Sequence, residues 1–438
     1  MTDATAVHPT HLSILGARLI DPASGFDQIS DLHLADGKLL AVGAPPADFH
    51  PEQRIEASGL LAIPGLVDLC ARLRQPGLEQ KATIRSETRA AAAAGITTLC
   101  CPPDTQPVVD TPAVAQLIRQ TAEAAGFARV LPAGSLTQQL AGEQISEMAA
   151  LQRAGCPVLS HADRPIASAR VQRRALEYAA TFGLTCFLHP ANASLAEGGL
   201  VHEGRLSTRL GLPGIPEAAE TVAVARDLAL AEQTGARIHF RGLSSARATE
   251  MLAEARARGI QVTADVSAHQ LFLTEEAIAT FDANALVRPP LRTETDRQAL
   301  RAAVAAGVIS AICSDHQPHE ADAKLAPFPQ AAPGISTLET LLPLTLRLTD
   351  EGLLPLPAAL ACVTCHAADI LGWPGGRLQL GAPADLCLLD PNVITTLDAE
   401  QMLSQGKHSP FLGQPMRGQV RQTFLGGCLV FDRKPQTP

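Results

Sequence analysis

Short apolar runs recur through the middle of the chain, and each is followed by an Ala-rich stretch with helical periodicity. The runs at 60–73, 96–101, 130–135, 157–161, 184–189, 237–243, 261–267 and 308–315 predict eight strands. The stretches between them stop at Gly95, Gly126, Gly155, Gly183, Gly235, Gly259 and Gly307. Glycine is favoured just past a helix because it accepts a left-handed backbone there. Strand–helix alternation of this kind predicts a parallel sheet with crossover helices, and eight units close a (β/α)₈ barrel. The two chain ends have a different pattern. Residues 12–19, 29–34 and 39–42 alternate as short strands around turn residues 21–25, and 381–390 and 420–430 read as strands beyond Trp373.

A chain of 438 residues, 46% apolar, has room for a barrel of about 250 residues plus a smaller domain. Its formal charge of −9, with no long basic block, argues against nucleic acid or an anionic membrane as partner. There is no unbroken apolar stretch of about 18 residues and no signal-peptide pattern, so a cytoplasmic location is expected. The ten cysteines are then expected to be reduced. Cys362-Val363-Thr364-Cys365-His366 has haem-attachment spacing, but it lies in an Ala/Leu-rich helical stretch and reads as a chance match.

The first apolar run carries the chemistry. It leads into Asp68, Cys70, Arg72 and Arg74, polar residues at every second position. Alternate residues of a strand share a face, so the four point together at the strand's C-terminal end, where barrel enzymes keep their active sites. Pro64-Gly65-Leu66-Val67-Asp68-x-Cys70-x-Arg72-Leu73-Arg74 resembles the opening motif of dihydroorotases, in the amidohydrolase superfamily. The pattern there is Pro-Gly-x-x-Asp-x-His-x-His-x-Arg, with both histidines on a catalytic zinc. Val201-His202-Glu203-Gly204, Leu212-Pro213-Gly214-Ile215-Pro216, Pro289-Pro290-Leu291-Arg292 and Ser314-Asp315-His316-Gln317-Pro318-His319 resemble the same family, so the likeness spans nearly the whole chain. It implies a barrel over 60–372 and a small β-sandwich made from both chain ends, 1–59 and 373–438. The stretch from Gly381 to Asp390 resembles the superfamily's returning strand.

The resemblance also implies a set of zinc ligands, and most are replaced. Cys70 and Arg72 stand where strand one has its histidines. Strand four carries His161-Ala162-Asp163 in place of an Asp-Asp-Gly segment. Strand five keeps His189, strand six has Gly242 where a histidine is expected (His239 falls three residues earlier), and strand eight keeps Asp315. Arg72 weighs most, because a guanidinium has no lone pair to give. At about 4 Å and an effective dielectric near 20, unit charges repel by roughly 4 kcal/mol, and a dication doubles this. Arg72 is expected to fill the vacated space and pair with Asp315 or Asp68. The competing arrangement is a rearranged metal site of Cys70, His161, His189 and Asp315, since thiolate binds zinc well. In the family an arginine grips the substrate carboxylate, and Arg74 keeps that place. Asp104 and Arg288 replace asparagines, and Asp104 would put negative charge beside an anionic substrate. His319 matches a position near substrate.

Three readings follow. In the first, the chain is not an enzyme. It holds no zinc, and Asp68, Cys70, Arg72, Arg74, Asp104, His161, His189, Gly242, Arg288, Asp315 and His319 are vestiges of a site. The resemblance then implies a structural subunit that assembles with aspartate carbamoyltransferase chains into a hetero-oligomer in pyrimidine biosynthesis. The second is an active cyclic-amide hydrolase with a mononuclear, rearranged metal site. The third is a regulator that binds a pyrimidine intermediate through Arg74. The Ala- and Pro-rich loop 320–334 is the candidate partner surface.

Overall fold

The computed structural model describes residues 11–433. The outermost parts of the two terminal segments, 1–10 and 434–438, lie outside the described residues. The predicted barrel strands are present as β1 (Leu66–Asp68), β2 (Ile96–Cys101), β3 (Arg129–Pro132, continued by Gly134–Ser135), β4 (Val158–Ser160), β5 (Thr185–Leu188), β6 (Arg237–Phe240), β7 (Val262–Ser267) and β8 (Ala311–Cys313). Neighbours pair in parallel from β1 round to β8. The ring closes just past the two end strands. Ala71 bridges His316, Arg72 N–H donates to the His316 carbonyl at 2.9 Å, and His316 N–H donates to the Cys70 carbonyl at 3.2 Å.

Helices cross between the strands, including Ile84–Ala93, Pro112–Ala125, Ala169–Thr181, Ala218–Thr234 and Leu338–Asp350. Local sequence explains their ends. The Thr83 hydroxyl accepts from Ser86 N–H at the start of the first, and Gly126 and Gly235 end two others at φ 73° and 68°. An apolar cluster that includes Val67, Cys100, Leu131, Val158, Phe187 and Cys313 draws on six strands, and helix Cys365–Leu371 packs on it. Cys362 and Cys365 are buried free thiols at helix ends, in keeping with the chance reading of that motif.

The chain ends share one eight-stranded sheet in the order Lys38–Val42, Phe26–Ala35, His11–Asp21, Leu61–Pro64, Leu386–Thr396, Pro415–Leu425, Cys428–Asp432, with Gln53–Glu56 added beside His11–Asp21. Its core mixes Leu12, Ile14 and Leu34 with Leu386, Leu388 and Phe424. Two expectations are corrected. The run 60–73 is not one strand: Leu61–Pro64 belongs to the terminal sheet, and the barrel begins at Leu66. Gly65 makes the transition, because a Cβ there would lie 2.3 Å from the Thr97 side chain. The stretch 420–430 is a hairpin, since Gly426 and Gly427 turn at positive φ between its two strands. A parallel two-residue pairing of Val201–His202 with Gly214–Ile215 lies in the excursion between β5 and β6 and was not foreseen.

Candidate functional site

The barrel's C-terminal mouth holds a cluster of charged side chains from five strands. Arg72, beyond β1, donates from Nε to Asp104 at 2.8 Å, from Nη2 to Asp163 at 2.6 Å and from Nη1 to Asp315 at 3.5 Å. Arg241, just past β6, reaches Asp163 and Asp315 at 3.3 Å each. Asp104 follows β2, Asp163 follows β4 and Asp315 follows β8. Two guanidiniums thus face three carboxylates, and both arginines and Asp315 are buried. Burial alone would raise the Asp163 carboxyl, but Arg72 and Arg241 hold it well below the usual carboxylate range. Burial also opposes the Arg72 charge, and Asp104 and Asp163 more than compensate. The Cys70 thiol, pushed well up by burial, donates to Asp315 at 3.3 Å. Gln317 adds an amide donor to the other Asp315 oxygen at 3.3 Å.

Arg72 therefore fills the mouth, pairing with Asp315 as expected and with Asp104 and Asp163 besides. Asp68 lies elsewhere. Asp68 accepts from Ser314 N–H at 2.8 Å and from the Ser314 hydroxyl, and burial raises it to about 7 against those bonds. Asp104 is corrected too: Arg72 neutralises it, so it does not stand as free negative charge.

The rearranged metal site does not assemble. His161 is held by the Thr137 hydroxyl at 2.8 Å and the Arg164 carbonyl at 2.6 Å, which occupies both ring nitrogens. His189 is half-buried near Asp163, and only Cys70 and Asp315 touch. Among the described residues no group of three or more His, Cys, Asp or Glu side chains is placed to hold a metal ion. The donor set does not fit the zinc that the family resemblance implies, because guanidinium groups stand among the carboxylates.

The remaining predicted positions are scattered. Arg74 donates to the Pro318 carbonyl at 3.0 Å and lies 3.3 Å from His319 Nε2, and Lys81 reaches His319 Nδ1 at 3.2 Å. Burial, Arg74 and Lys81 pull His319 down to about 3, so the ring is neutral, accepting from Lys81 at Nδ1 and donating from Nε2 to the Pro333 carbonyl at 2.9 Å. Gly242 donates its N–H to Asp265 at 2.6 Å, and Asp265 also pairs with His239 at 3.0 Å. Arg288 donates from Nη2 to the Gly199 carbonyl at 3.4 Å.

Sequence reasoning missed Arg241, Gln317 and His269. Arg241 was detectable, since it follows His239 by two residues and ends a buried strand with a charge. His269 had no such signal. Both of its ring nitrogens are buried without a hydrogen-bond partner, and burial lowers it to about 4.

Comparison with known proteins gives the family. A model described as dihydro-orotase-like matches residues 59–248, and one described as amidohydrolase family matches 209–431. A dihydroorotase-like protein of Pseudomonas aeruginosa is 53% identical over 96% of this chain and 99% of its own. A dihydroorotase of Syntrophotalea carbinolica is 42% identical over 95% of this chain and 98% of its own. In fold, an L-hydantoinase from Arthrobacter aurescens superimposes with a TM-score of 0.86 over 98% of this chain and 97% of its own, at 23% identity. These relatives correct the expectation that the chain is not an enzyme, because proteins 41–42% identical over nearly the full length bear an enzyme's name. The replaced ligands do not by themselves exclude catalysis. The chain belongs to the dihydroorotase-like proteins of the amidohydrolase family.

Proposed function

We propose that this dihydroorotase-like chain is an assembly subunit for aspartate carbamoyltransferase in pyrimidine biosynthesis, working in the cytoplasm as part of a hetero-oligomer. Its barrel mouth is held by ion pairs in place of zinc. The observation that carries the reading is the Arg72–Asp104–Asp163–Asp315–Arg241 cluster. A cation planted among the carboxylates makes the mouth self-supporting and opposes a dication there by several kcal/mol. The relatives at 52–53% identity are named dihydroorotase-like, whereas those at 39–42% are named dihydroorotase. That division favours a role distinct from ring hydrolysis through zinc.

The test has two steps. Protein expressed with added zinc and then desalted is assayed for zinc, iron and manganese, with a ratio near zero per chain expected. The metal-free chain is then mixed with aspartate carbamoyltransferase chains at micromolar concentration and run on size exclusion, with co-elution expected. About one metal per chain, or separate elution, would overturn the reading. Dihydroorotate turnover measured with and without chelator on the same sample reports what chemistry the mouth performs.

A further inference from the structure

A cavity of about 570 Å³ opens beside the ion-pair cluster. Asp163 and His189 stand at one part of its lining, and Pro190, Ala191, Ile215, Pro289 and Pro290 give it apolar walls. A volume of this size suits a small organic molecule. Its charged groups are unequal. Glu220 is held by Arg292 at 3.3 Å and by Ser244, so it offers no free charge. Asp163 is paired with both mouth arginines. Glu197 is exposed at the edge. Arg288, exposed like Glu197, lines the cavity mouth with one long hydrogen bond to the Gly199 carbonyl and no ion pair among the described residues.

We propose that this cavity binds a small monocarboxylic acid with a flat apolar body, its carboxylate gripped by Arg288. A guanidinium fork with most of its donors unused matches a carboxylate in geometry and charge. Proline and alanine walls reward an apolar body through the water they release. The mouth cluster sets three carboxylates against two guanidiniums, and Asp163 brings that net negative charge to the cavity wall, so one acid group, at the Arg288 side, is favoured over two. Arg74 does not compete for it, being fixed on the Pro318 carbonyl beside His319. This site is independent of the assembly role: binding of the acid and co-elution with a partner succeed or fail separately.

Isothermal titration of the full chain with benzoate tests it, with N-carbamoyl-aspartate as the polar, two-carboxylate comparison. Saturable binding of one benzoate per chain is expected. It weakens at least about tenfold in Arg288→Ala, the loss of one charge-assisted contact, and stays within about twofold in Arg74→Ala. Ala191→Trp, which places bulk in the cavity from another part of its wall, abolishes it and serves as the second variant should Arg288→Ala misfold. No saturable heat up to about 10 mM benzoate overturns the proposal. So does binding that both Arg288→Ala and Ala191→Trp leave unchanged, or tighter binding of N-carbamoyl-aspartate than of benzoate.

Discussion

Arg72 shows how one residue type reorganises a site. Its guanidinium is buried and divides its donors among three carboxylates on three different strands. Removing one partner of a buried ion network leaves charges uncompensated, which typically costs roughly 3–5 kcal/mol. Arg72→Ala is therefore expected to lower the unfolding free energy measured in urea by that much, and a loss below about 1 kcal/mol would show the pairs to be incidental. The pH dependence has two opposing parts. Asp163 titrates lower in the folded chain than the roughly 3.9 of an unfolded aspartate, so its stabilisation is present above about pH 4 and is lost as pH falls below that. Asp68 titrates higher, near 7, so the folded chain keeps a proton that the unfolded chain releases. Its contribution declines as pH rises from about 4 to 7. Urea midpoints across that range are expected to show a falling component that Asp68→Asn removes. A slope unchanged in that variant would assign the effect to other groups.

At the level of elements, the joint between barrel and terminal sheet rests on a few buried polar contacts. Glu87, on helix Ile84–Ala93, accepts from His316 Nε2 at 2.7 Å, from the Ser404 hydroxyl at 2.7 Å and from Gln405 N–H at 3.0 Å. His316 in turn accepts from Thr337 N–H at 3.0 Å, which fixes its neutral tautomer. One carboxylate thus ties the first helix, the segment after β8 and the returning chain together. Burial alone would raise Glu87, and His316 with these donors brings it below its ordinary value. Glu87→Ala leaves several buried donors unmet, each worth roughly 1–3 kcal/mol. The variant is expected to lose at least about 3 kcal/mol in denaturant unfolding. Faster amide exchange is expected at Ser404 and Gln405, and unchanged exchange there would place the joint elsewhere.

For the whole molecule, the question is which surface meets a partner. Loop 320–334 is tethered rather than loose. Lys324 donates to the carbonyls of Ala283 at 2.9 Å and Ala332 at 2.6 Å, while Leu325 beside it is 82% exposed. If this loop contacts aspartate carbamoyltransferase chains, Leu325→Asp should weaken co-elution at least about tenfold without altering the melting temperature. Unimpaired co-elution would move the contact to another face. Among the described residues no helix is long and apolar enough to cross a membrane.

Periodicity and turn chemistry predicted the eight strands and their crossover helices, and the family resemblance supplied the domain made from the two chain ends. Eight apolar runs with glycine-terminated helices between them specify a barrel because each run has only one way to bury both faces. The replaced residues at strand ends were also legible, including Arg72 in a ligand's place. The partners of Arg72 were decided by the tertiary structure. Asp104 and Asp163 lie 32 and 91 residues away, beyond two other strands, and no local pattern reports where a loop carboxylate will point. Arg241 joined the cluster for the same reason. The break at Gly65 was likewise invisible in an unbroken apolar run, because it arises from the close approach of Thr97 on a neighbouring strand. Spacing along a chain reports which faces are buried. Which charges meet at a barrel mouth depends on ring closure, and that exists only in the folded molecule.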